Sequence, residues 1–225
     1  MRSTRGLRPL GRQTRWRVFV ARVRGVKAPM RNYRNITKSE NEKLSDRFSF
    51  LLKYNEDCTK SDFSWAAITI FDHWLYESDS LERIEEASDL EKARWTACIK
   101  KFLYNLVQIE APLKYRYRGR NTKQRLQFSR YVGTKDYGGF IASSFDKTYC
   151  PNIVFPQLGV DLWFEDNWTL HFKYKSQLEC KALLNLVAES GLFVLPAYCA
   201  EHLNQYSELS AFMVENGLNR VAGGI

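Results

Sequence analysis

The sequence predicts an α+β fold in which N-terminal helices pack with a mixed β-sheet containing a β-β-β-α-β unit. Three observations carry this expectation. Residues 149–196 read as three short strand segments, two of them with clear alternation, followed by a helical segment and a closing apolar run. Residues 39–111 instead repeat their apolar residues at three- and four-residue intervals. Ser39, Ser88 and Ser176 each precede a glutamate by three residues, a capping box that satisfies the free amides at a helix start.

Composition sets the class before any element is placed. Hydrophobic residues make up 44% and charged residues 26%, ordinary for a soluble folded protein. No apolar run approaches the roughly 18–20 residues that cross a bilayer, so no membrane partner is expected. The net charge of +9 is concentrated at one end. Residues 1–29 hold nine Lys or Arg and no acid, leaving 25 bases and 25 acids for the remainder.

The expected organisation is a disordered basic tail at 1–38, one domain at 39–217, and a loose C-terminus at 218–225. The domain reads as helical over 39–111 and sheet-rich over 114–196. Met30 is an alternative start that would place the first 29 residues outside the native protein. The tail also has the Arg-rich, acid-free composition of an organelle transit peptide and of a nucleic-acid-binding arm. Cys58, Cys98, Cys150, Cys180 and Cys199 include no C-x-x-C pair and no histidine at ligand spacing. Reduced thiols, a cytoplasmic location, no metal and no cofactor follow as expectations.

The first helix is expected from Glu40 to about Tyr54, with Leu44, Phe48, Leu51 and Leu52 on its apolar face. Trp65, Ile68, Phe71 and Leu75 recur at helical spacing and predict a second helix to about Tyr76. Acids concentrate between Glu77 and Glu91, where they suit the positive end of a helix dipole better than a metal. A short helix at 81–87 then gives way to a long one from Asp89, with Trp95, Cys98, Ile99, Phe102, Leu103, Leu106 and Val107 as its stripe. Pro112 stops it.

Between Lys114 and Arg130 the charge reverses, with seven Lys or Arg and no acid. Tyr115, Tyr117, Phe128 and Tyr131 interleave with Lys114, Arg116, Arg118, Arg120, Lys123 and Arg125. Cations next to aromatic rings are what phosphate contact and base stacking require. The same alternation also describes a strand with one wet face and a cationic edge. Leu126–Val132 is expected to return as Phe140–Phe145 in a hairpin, turning at Gly138 and Gly139.

In 149–196 the strands are placed at Ile153–Phe155, Val160–Glu165 and Trp168–Tyr174. Burial of both apolar sets forces an odd-length loop between the last two. A three-residue loop with Asn167 left-handed would pair Phe164 with Trp168, Leu162 with Leu170, and Asp161 with His171. The Ser176 helix runs to Ser190 and stops at Gly191. Leu192–Leu195 then forms a strand parallel to Trp168–Tyr174. A last helix spans about Tyr198 to Glu215.

No stretch carries a catalytic or cofactor fingerprint, which leaves three readings of function. The leading one is a non-enzymatic protein-interaction module, an adaptor or partner-neutralising protein, anchored on a protein partner by Tyr115, Tyr117 and Trp163. The alternative is a nucleic-acid-binding accessory protein using residues 114–130. The third is a hydrolase in which Asp161 orients His171 as a general base.

Overall fold

In the computed structural model, the chain is described at residues 32–52, 63–75, 82–120, 124–144, 152–164, 168–196 and 203–218. These all belong to one unit, Arg31–Ile225. In chain order the elements are β1 (Tyr33–Asn35), α1 (Lys38–Arg47), a 3-10 turn (Ser49–Leu52), β2 (Ser64–Thr69), α2 (Glu82–Glu85), α3 (Asp89–Ile109), β3 (Leu113–Arg118) and β4 (Arg125–Tyr131). There follow α4 (Tyr137–Ser144), β5 (Ile153–Phe155), β6 (Val160–Phe164), β7 (Thr169–Tyr174), α5 (Lys181–Glu189), β8 (Phe193–Pro196) and α6 (Leu203–Glu215). Among the described residues, no helix is long and apolar enough to cross a membrane.

The eight strands form one sheet in the order β1-β4-β3-β5-β6-β7-β2-β8, and every pairing is antiparallel. Two expectations are corrected here. Residues 64–69 form a strand, where helical spacing had been read from Trp65 onward. Ala66, Ala67 and Ile68 are completely buried between β7 and β8. A strand buried on both faces loses its alternation, and its apolar positions then mimic a helix. Because β2 separates β7 from β8, the sheet is antiparallel and not mixed. β8 still runs in the direction of β7, but it pairs with β2.

The hairpin expected at residues 126–145 is also replaced. β4 pairs with β3 and β1, and the segment after it folds as α4. Asp136 caps that helix by accepting from the Gly139 amide at 2.7 Å. Gly138 lies against the Tyr104 ring of α3, where the missing side chain permits close helix packing.

One face of the sheet carries the main core. Ile153, Phe155, Leu162, Phe172 and Ile68 meet Ile99, Phe102 and Leu103 of α3, Ile141 of α4, Leu183 and Val187 of α5, and Leu209 and Met213 of α6. On the opposite face a second core covers the β4-β3-β5 end, where Phe48, Phe50 and Leu51 pack on Tyr115, Leu126, Phe128 and Val154. Thr37, two residues ahead of the expected cap, closes a capping box with Glu40. α1 then ends at Arg47, and the 3-10 turn inserts Phe50 and Leu51. Asn41 fastens α1 to the sheet, accepting from Phe128 N at 2.8 Å and donating to Leu126 O at 3.0 Å.

The β6–β7 register departs from expectation by two residues. Phe164 lies opposite Leu170, Leu162 opposite Phe172, Trp163 opposite His171, and Asp161 opposite Lys173. A shift of two preserves the faces while changing every partner. Asn167 lies outside the described residues, and Trp168 is left-handed with φ 56°. Its ring is held there by a 2.8 Å bond from Nε1 to Thr96 Oγ1 and by an edge contact with Trp95.

Candidate nucleic-acid interface and a buried polar ladder

Strand alternation divides the predicted site residues between the two faces of the sheet. On β3, Lys114, Arg116 and Arg118 share the α4 side with Arg125, Gln127, Ser129 and Tyr131 of β4. Arg116, Arg118, Arg120 and Arg125 are all exposed. Arg118 and Arg125 stand directly opposite each other, a like-charge pair that costs a few tenths of a kcal/mol in an exposed sheet. No acidic side chain pairs with any of these four arginines among the described residues. Lys123 lies outside them. Lys114 continues the line inward and places Nζ 5.1 Å from the Tyr33 ring centre. Three other arginines are matched with acids: Arg47 with Glu179, Arg130 with Glu40 and Arg83 with Glu91.

Two acids of α3 and its C-terminal end are engaged away from this segment. Glu91 binds Arg83, and its amide is capped by Ser88. Glu110 accepts from the Gln157 and Leu158 amides.

The opposite face gathers the remaining candidates into a ladder. Asp161 is 2% exposed, and its Oδ1 has no hydrogen-bond partner. Burial is the main reason its carboxyl is pushed up to about 7, against the attraction of Lys173 and a hydrogen bond with Tyr115. Burial likewise lowers Lys173, opposed by the Asp161 charge. The Lys173 ammonium lies 4.8 Å from the Trp163 ring centre and 5.3 Å from that of Phe63. His171 stacks on Trp65 at 5.2 Å and lies 5.1 Å from Trp163, with Trp74 at 6.1 Å.

This geometry revises two expected roles. Among the described residues no hydrogen bond joins Asp161 to His171, because the two-residue shift gives Asp161 to Lys173 and inserts Trp163 opposite the histidine. Tyr115 is not an exposed anchor. It is 5% exposed, and burial raises its hydroxyl well above the usual tyrosine range. Strand β3 turns it toward Phe128 and Asp161, away from the wet side. Tyr117 is 42% exposed and donates to Leu51 O at 3.2 Å, while Trp163 is half-buried.

Lys173 and Trp65 were missed as members of the ladder. Parity alone placed Lys173 on the same face as His171, so that signal was present in the sequence. Trp65 had none once its segment was read as helical. Among the described residues, no group of three or more His, Cys, Asp or Glu side chains is placed to hold a metal ion. Comparison with protein-family models, with curated proteins and with solved structures finds no match.

Proposed function

We propose that this protein binds nucleic acid, with the β3–β4 hairpin as its phosphate-contacting surface. The observation that carries the reading is four exposed arginines on one hairpin, two of them directly opposed across the strands, with no acid paired to them among the described residues. Such an arrangement raises the folding free energy slightly and stabilises an anionic partner. Arginine suits that partner because its planar fork donates two hydrogen bonds to one phosphate. The protein-interaction reading loses support by comparison, since Tyr115 is buried and Trp163 is engaged with His171 and Lys173.

The test is anisotropy of a labelled oligonucleotide titrated with the full chain over a range of salt. The parent is expected to bind with an affinity that falls linearly in log–log form. Replacing Arg116, Arg118, Arg120 and Arg125 together by Gln should flatten that slope by about 3, at roughly 0.7 per lost phosphate contact on a single strand. An unchanged slope would place any binding elsewhere on the chain and remove the hairpin from the function.

A further inference from the structure

The pocket at the far end of β4 extends the proposed surface and points to the kind of nucleic acid it takes. The pocket has a volume of about 490 Å³, within the range of small-ligand sites. Tyr131 and Phe140 supply its aromatic wall, with ring centres 5.2 Å apart. Tyr131 is held flat against Tyr137, with centres 4.2 Å apart and planes within 4° of parallel. Gly133 permits this placement, because a Cβ there would stand 2.3 Å from the Tyr131 hydroxyl. Asn32, Lys135 and Asp136 bring polar groups to the rim.

The position of the pocket relative to the arginines matters as much as its lining. Tyr131 shares a sheet face with Arg125, six residues earlier on β4, a separation of about 20 Å at the usual strand rise. On the neighbouring strand, Arg118, Arg116 and Lys114 descend the same face toward Tyr33 and Tyr131. A cationic track therefore leads to an aromatic wall. At the α4 N-terminus the Asp136 carboxylate already accepts from the Gly139 amide, and its negative charge in the pocket lining disfavours a phosphate there. Its half-buried rings and mixed rim match the face and edge of a flat heterocycle.

We infer that the protein takes a single strand, whose backbone follows Arg118, Arg116 and Lys114 while one unpaired base enters the pocket and stacks on Tyr131 and Phe140. This rests on the nucleic-acid reading of the hairpin. Single-strand binding sites combine these two parts, a charged track and aromatic stacking platforms. A duplex keeps its bases paired and cannot fill the pocket.

The experiment uses the full chain, single-stranded oligonucleotides substituted with 5-iodouracil, and duplexes of the same sequence. Single strands should bind about ten-fold tighter than duplexes, and photocrosslinks should map to Tyr131 or Phe140. Phe140→Leu should weaken single-strand binding about ten-fold, the lower part of the range for one stacked base, with the salt slope unchanged. The crosslink map on the parent chain keeps the inference testable should that variant unfold. Crosslinks confined to other residues, with the arginine-dependent slope intact, would overturn the pocket and leave the hairpin standing. Equal affinity for duplex and single strand would do the same. Absence of arginine-dependent binding would overturn both.

Discussion

Along β3, Tyr115 and Tyr117 turn toward the second core and the Asp161 ladder, while Lys114, Arg116 and Arg118 turn toward the α4 side. Residues one position apart thus face opposite environments. On the inner side polar groups are buried against one another: Asp161 lies by Lys173 and Tyr115, and the Lys173 ammonium lies over two aromatic rings. On the outer side Arg116 and Arg118 are exposed and pair with no acid among the described residues. A strand that must be stable alone would avoid opposing Arg118 to Arg125. The difference teaches that stability is concentrated on one face of the hairpin, which leaves the other free to serve a partner.

The most forceful way to break this comparison is Phe128→Ala. Phe128 is completely buried, its ring centre 6.1 Å from those of both Phe48 and Tyr115. Its truncation should cost about 3–5 kcal/mol in urea unfolding, from lost burial and the cavity left behind. A loss below about 1 kcal/mol would mean that the second core does not hold the hairpin, and the assignment of stability to that face would fail.

The ladder gives a pH test of slightly smaller size. Asp161 titrates near 7 in the folded chain instead of 3.8, so the folded state keeps a proton that the unfolded state has released between those values. Stability from this group is therefore greatest below pH 4 and declines as pH rises to 7. Asp161→Asn removes the titration. Relative to the parent, the variant should gain up to about 4 kcal/mol between pH 4 and pH 8, measured by urea midpoints at several pH values. A constant difference across that range would show that Asp161 ionises as freely in the fold as outside it.

Legibility in the sequence followed how many partners each feature needed. α3 is local, and both its Ser88 cap and its apolar stripe were readable. Its cap is half of the expected box, because the Glu91 side chain turns away to Arg83. β2 was unreadable because its burial depends on β7 and β8, which lie about a hundred residues downstream. The β6–β7 faces followed from alternation, but the exact partners depend on a loop that parity constrains only to odd lengths. The arginines could be seen as cationic. That no described acid pairs with them could not, since it depends on where Glu91, Glu110 and Glu40 find other partners. The Tyr131–Phe140 pocket was hidden by reading α4 as a returning strand.

The finest test separates the two faces at one residue. Arg118 faces Arg125, makes no ion pair with a described acid, and is exposed. Arg118→Gln relieves the like-charge contact and should stabilise the fold by a few tenths of a kcal/mol. The same change removes one phosphate contact, so the salt slope for oligonucleotide binding should fall by about 0.7, with affinity weakened several-fold at low salt. Opposite signs for stability and binding at one position are the mark of a residue kept for a partner. Were Arg118→Gln to destabilise the fold by 1 kcal/mol or more, its guanidinium would be serving the hairpin itself, and the contrast between the faces of β3 would reduce to two kinds of structural contact.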